Sequence, residues 1–201
     1  MHRGIILSLA LSLLTLPVVS QDPSGKPDIK EDGFVAQFPS GGLLHIHVRS
    51  GAVRIAGGEE DKITIQYEGK NWERAREVKV SFKKSGQNGD LTIKGGPRNQ
   101  FEVRIQVPRQ THLQVRMPFG DLEVARVIGN KDVEVHAGDV TLEVGDAKQY
   151  AHVDASVTTG ELTASPFKVD KSGLFRSFET QGAGVYRVHA HVGAGDLTLK
   201  D

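Results

Sequence analysis

Apolar and polar positions alternate along most of this chain, and the alternation recurs in copies. LHIHVRSGAVRI starts at Leu44, LQVRMPFGDLEV at Leu113, KDVEVHAGDVTL at Lys131, VDASVTTGELTA at Val153 and VHAHVGAGDLTL at Val188. The shared pattern is apolar-x-apolar-x-apolar, two residues, Gly, usually Asp or Glu, then a second short alternation. A weaker copy, FKKSGQNGDLTI, starts at Phe82. A period of two sends successive side chains to opposite faces of a strand. Leu44, Ile46 and Val48 are therefore predicted to point inward, as are Val188, Ala190 and Val192. His45, His47, His189 and His191 are predicted to point outward.

The glycine at the eighth position of the copies (Gly51, Gly120, Gly138, Gly160, Gly195) is predicted to mark a corner with a positive φ. Asp121, Asp139 and Asp196 follow it and can bond nearby backbone amides. Such a unit suits a hairpin with a short Gly-ending loop. It equally suits a corner between strands that stack in parallel one coil later. The steps of 18 and 22 residues between the central copies are long enough for parallel connections, which need about a dozen residues. The pattern thus predicts an all-β chain, with a parallel β-helix-like solenoid over residues 113–199 stacked in sequence order. Upstream, KITIQY, EVKVSF, DLTIKG and FEVRIQV are further alternating segments, with room for antiparallel hairpins in this N-terminal part. Residues 71–77 read as a helical turn. Residues 165–181 read as an irregular insertion whose Phe167, Phe175 and Phe178 cap the stack.

The first twenty residues stand outside the repeat. Arg3 precedes an apolar run from Gly4 to Leu16, and Val18-Val19-Ser20 offers small residues for cleavage. The run is shorter than the roughly 20 residues of a membrane helix and reads as a signal peptide. Residues 21–32 form a polar leader, and residues 33–201 a single β-repeat domain. No cysteine follows the run, so no lipid anchor and no membrane insertion after cleavage are expected. The protein is expected to be periplasmic or secreted. With no cysteine at all, stability must come from burial rather than disulfides. The 25 Lys and Arg balance 25 Asp and Glu, which gives no electrostatic reason to expect nucleic acid as partner.

From FEVRIQVPRQTHLQVRMPFGDLEV through the Gly-Asp copies to VHAHVGAGDLTLK, the chain resembles the bacterial putative-adhesin family of unknown function, exported repetitive β-proteins related to head-GIN adhesin domains. The resemblance runs from about Gly33 onward. It implies a pectin-lyase-like right-handed β-helix without known catalytic residues, and it transfers no site residues.

The His-x-His pairs are the sharpest site candidates, because residues i and i+2 share a strand face and two imidazoles there can hold Zn, Cu or Ni. His136 and His152 lie in the copies between. Stacking in sequence order would keep the pairs several coils apart with two ligands each, too few for zinc. His45, His47, His189 and His191 are therefore expected to form a solvated polar face, with no metal or cofactor. A polysaccharide enzyme would need two carboxyls at controlled separation. Glu59-Glu60-Asp61 reads as an exposed turn instead, and the corner aspartates recur with the backbone motif. Only Trp72, Tyr67, Tyr150 and Tyr186 offer a sugar platform with a polar edge. Gly182-Ala183-Gly184 and Gly193-Ala194-Gly195 open no helix, so a dinucleotide site is not expected. Arg74, Arg76, Lys79, Lys83 and Lys84 read as a strand's solvent face.

These readings converge on a non-enzymatic exported β-solenoid, an adhesin-like binding or scaffold module of the cell envelope whose partner is an unidentified envelope protein or glycan. An extracytoplasmic sensor working with a membrane regulator is the alternative. A polysaccharide-acting β-helix enzyme comes third.

Overall fold

A computed structural model describes residues 33–69, 77–95 and 101–201. Four copies of the repeat are rungs of two strands that meet at the glycine. β2 (Leu43–Val48) turns into β3 (Ala52–Gly58) at Gly51, and β8 (His112–Phe119) into β9 (Leu122–Ala125) at Gly120. β10 (Lys131–Ala137) turns into β11 (Val140–Glu143) at Gly138, and β14 (Tyr186–Ala194) into β15 (Leu197–Lys200) at Gly195. β12 (Tyr150–Ala164) runs through Gly160 unbroken. The first strands pair in parallel, in the order β6 (Asn88–Lys94), β2, β8, β10, β14, β12. The second strands pair in parallel as β7 (Phe101–Pro108), β3, β9, β11, β15, β12.

Antiparallel strands finish both ends. β1 (Phe34–Gln37) and β4 (Lys62–Gly69) extend the second face beyond β7, and β5 (Lys79–Ser85) extends the first beyond β6. β13 (Val169–Gln181) covers β12 along nearly its whole length. All fifteen strands belong to one mixed sheet whose path starts at β1 and finishes at β5. Those two ends meet: Phe34 and Phe38 pack edge-on against Phe82 at 6.1 and 6.3 Å between ring centroids. The sheet is therefore nearly closed and barrel-like. No α-helix occurs among the described residues, and no helix there is long and apolar enough to cross a membrane.

Register explains why this arrangement holds. Every second residue of the parallel strands faces the space between the two faces, so equivalent residues stack in columns. One column is Leu91, Ile46, Val115, Val133, Ala190 and Ala155. Opposite it stands Ile105, Ile55, Val124, Leu142, Leu199 and Ala164. All twelve are buried. Burying one Leu or Ile side chain contributes about 1.5–3 kcal/mol, so these columns dominate cohesion along the stack.

The corner is built by the Gly-Asp pair. Gly120, Gly138 and Gly195 have φ of 118°, 139° and 133°, and each donates its N–H to the next rung, to Ala137, Ala194 and Thr159. The aspartates run alongside: Asp121 Oδ1 accepts from Asp139 N at 3.1 Å, Asp139 Oδ1 from Asp196 N at 3.0 Å, and Asp196 Oδ1 from Glu161 N at 2.9 Å. Removing one acceptor leaves a corner amide to solvent. Asp139→Ala is expected to lower stability by about 1 kcal/mol in urea melts, whereas Asp170→Ala on exposed β13 should stay within about 0.5 kcal/mol. Equal losses would show that the ladder contributes nothing.

Three expectations are corrected. The stack does not follow sequence order: the last rung, β14–β15, is inserted between β10–β11 and β12. β12 cannot take that place, because its other edge pairs β13. The weaker copy from Phe82 is no rung but an antiparallel hairpin, β5 to β6, turning at Gly86 with φ 58°. Its Asp90 and Leu91 align with His45 and Ile46 in the first strand of a rung, not the second. Residues 165–181 are largely regular, a short 3-10 turn followed by β13. Phe167 and Phe178 pack on the core as a cap, while Phe175 is 79 % exposed. The segments expected to be a signal peptide and a polar leader, and nearly all of residues 71–77, expected to be a helical turn, lie outside the described residues.

Candidate functional site

Outward side chains of the first face form two adjoining columns that cross eight strands. From β5 to β13 one column reads Lys83, Asp90, His45, Gln114, Asp132, His189, Asp154, Glu179. The other reads Ser81, Thr92, His47, Arg116, Glu134, His191, Ser156, Ser177. Neighbours engage one another along the stack. Gln114 Nε2 donates to Asp132 Oδ2 at 3.1 Å, and Arg116 Nη2 bridges Asp132 Oδ2 at 2.8 Å and Glu134 Oε1 at 3.3 Å. His189 Nδ1 lies 3.1 Å from Asp154 Oδ2, and His191 Nδ1 lies 2.9 Å from Ser156 Oγ. His45 Nδ1 stands 3.9 Å from Asp90 Oδ1.

The second face differs in kind. Its charges neutralise one another: Arg104 pairs with Glu68 and Glu102 at 2.7 Å each, Arg54 with Glu123 at 2.7 Å, and Lys200 with Glu123 at 3.6 Å. Toward the far end that column becomes Thr141, Thr198 and Thr163, residues suited to strands. The first face carries further features. A depression of about 190 Å³ there is bordered by His45, His47, Asp90, Thr92, Gln114 and Arg116. Three donor atoms, one each from Asp132, Glu134 and His189, lie within 4.8 Å of one another. Asp132 Oδ1 is buried with no hydrogen-bond partner.

The two His-x-His pairs therefore share one face and one pair of columns. They do not meet. β8 and β10 lie between them, and three strand spacings amount to about 14 Å. His136 is exposed further along β10, and half-buried His152 faces Glu179 at 3.8 Å. Glu59, Glu60 and Asp61 form the turn between β3 and β4; Glu60 pairs with Lys62 and Glu59 with Arg109. Tyr67 and Tyr150 are buried, which removes them as sugar platforms, and Tyr186 is partly buried. Trp72, Arg74 and Arg76 lie outside the described residues, while Lys79, Lys83 and Lys84 are exposed on β5.

One residue of consequence lies outside every candidate site of the sequence. Lys131 takes the inward first position that Leu44, Leu113, Val153 and Val188 take in the other copies. It is 1 % exposed, donates to the Tyr150 hydroxyl at 2.7 Å and lies 5.3 Å from the centre of that ring. Burial lowers its pKa to about 8, with Glu143 acting the other way. The signal was available as the single charge in an apolar column.

No protein-family model and no curated protein matches the chain. Solved structures do. A "putative cell adhesion protein" from Clostridium sporogenes aligns with 83 % of this chain and 97 % of its own, at 14 % identity and a TM-score of 0.46. A "putative adhesin" from Bacteroides fragilis aligns with 85 % of this chain and 98 % of its own, at 8 % identity and a TM-score of 0.37.

Proposed function

We propose that this protein is a non-enzymatic, exported binding or scaffold module of the cell envelope, adhesin-like in action, and that its stacked rungs are a short right-handed parallel β-helix. The observation that carries this reading is the two-column polar face. Parallel register and buried columns beneath hold donors and acceptors at a repeat of about 4.8 Å, a rigid surface suited to a hydroxyl-rich glycan or a polar protein face. The depression at His45, His47 and Arg116 is smaller than the roughly 300–1,000 Å³ of sites that enclose a small molecule. That supports surface binding over catalysis. Export rests on the apolar run of residues 4–16.

The test is binding of the purified protein to arrayed envelope glycans and to isolated envelope proteins. Gln114→Ala with Arg116→Ala, in the middle of the first face, is expected to weaken binding by at least about tenfold, the equivalent of 1.4 kcal/mol. Arg54→Ala on the second face should leave it unchanged. Binding lost equally from either face, or no binding to either class, would sink the reading.

A further inference from the structure

We propose that Asp132, Glu134 and His189 form a divalent metal site on the first face, with zinc the best-suited ion. The inference goes beyond the adhesin-like reading and does not depend on what the face binds. The residues come from β10 and β14, where Asp132 stands directly opposite His189 and Glu134 opposite His191. Insertion of the last rung beside β10 creates this neighbourhood. Sequence-order stacking would set Asp154 and Ser156 of β12 there instead, and His189 would meet no carboxylate of β10.

Three observations point to a cation. The donor atoms of Asp132, Glu134 and His189 already lie within 4.8 Å of one another. Zinc bonds of about 2.0–2.2 Å to N and O require them to close in somewhat, and exposed Glu134 and His189 can rotate to do so. Next, His189 Nδ1 is held by Asp154 Oδ2 at 3.1 Å, which leaves Nε2 for the ion. A carboxylate on the distal ring nitrogen is the usual support of a ligating histidine. Finally, Asp132 Oδ1 is buried without a partner, while Oδ2 is already occupied by Gln114 and Arg116. The Asp132 side chain as a whole is half-buried, and this oxygen, with no donor on it, can meet a metal ion.

Arg116 is the resident competitor. Its guanidinium neutralises Asp132 and Glu134, so an incoming ion must share or displace it. His191, opposite Glu134 with Nδ1 on Ser156 Oγ, is placed to become a fourth ligand; otherwise water completes the shell. Mixed imidazole and carboxylate donors without thiolate favour zinc over calcium or magnesium, which take oxygen.

The experiment is calorimetric titration of the purified, chelator-treated protein with Zn²⁺ and, separately, Mg²⁺. One equivalent of zinc should bind, and magnesium should bind far more weakly. Asp132→Asn and His189→Gln should each weaken zinc binding at least tenfold, while Arg116→Gln should tighten it about tenfold by removing the competing cation. His45→Gln with His47→Gln should change nothing. Zinc should also shift the His189 Nε2 nitrogen resonance. Melting curves without metal establish that each variant is folded, and His189→Gln, at an exposed position, serves if Asp132→Asn is not. No saturable zinc binding, or binding that survives His189→Gln or is lost with His45 and His47, overturns the site. Zinc binding intact with glycan and protein binding absent would sink the proposed function alone.

Discussion

Gly138→Ala is expected to cost several kcal/mol, and Gly51→Ala only about 1–2 kcal/mol, although both glycines sit at the same point of the repeat. Both hold a positive φ, 139° and 116°, and a Cβ in that region costs about 1–2 kcal/mol in each. The difference is the neighbour. A Cβ at Gly138 would collide with the carbonyl oxygen of Gly120 on the adjacent rung, whereas nothing lies within 4 Å of one at Gly51. Relieving that collision would lift the two rungs apart where Gly120 N–H reaches the Ala137 carbonyl. The lost bond and packing carry the total above about 4 kcal/mol, the range kept for such mechanisms. Urea midpoints measure it, and equal losses at the two positions would refute the close-stacking account.

Replacing the buried pair Lys131 and Tyr150 by Leu and Phe is expected to stabilise the protein at pH 7, by about 1–3 kcal/mol. The Lys131 ammonium sits among apolar neighbours, with Leu113 and Val188 directly beside it in the sheet. Burial lowers its pKa to about 8 against 10.5, a difference worth roughly 3 kcal/mol. Below pH 8 the lysine is charged in both the folded and the unfolded chain, so the folded state bears this penalty in full. Between pH 8 and 10.5 the unfolded chain binds the extra proton, and stability rises with pH. Above 10.5 the penalty is gone. The ionisable groups that act on the pair are Glu143 and Tyr186, and burial raises the Tyr150 hydroxyl well above its ordinary 10. The advantage of Lys131→Leu with Tyr150→Phe over the natural protein should therefore shrink across pH 8–10.5. Lys131→Leu alone should gain less, because the Tyr150 hydroxyl loses its partner. Urea melts at pH 7 and pH 10 decide it. A gain independent of pH would mean that packing, not the charge, is responsible.

The candidate site was legible in part. Outward placement of His45, His47, His189 and His191 follows from alternation alone, since a strand has only two faces. Their neighbours did not follow, because the strands do not lie side by side in chain order. Asp132 and Glu134 are unremarkable in KDVEVHAG until β14 lies against them. Lys131 was visible as one charge in an apolar column, yet its Tyr150 partner lies 19 residues on, at the start of another rung.

By itself the sequence determined the rungs: which residues face inward, where each rung turns, and that Gly and Asp make the turn. These are local matters of a two-residue period and of backbone conformations open to glycine. Only the tertiary structure decided the order of the rungs, the β12–β13 pairing and the contact of Phe34 and Phe38 with Phe82 that nearly closes the sheet. The reason lies in the repeat. Every rung presents the same backbone hydrogen-bonding edge and the same apolar columns, so the pattern is satisfied by any neighbour. The choice among neighbours falls to features outside the pattern, above all to β13, which occupies the outer edge of β12 and leaves the last rung its place beside β10.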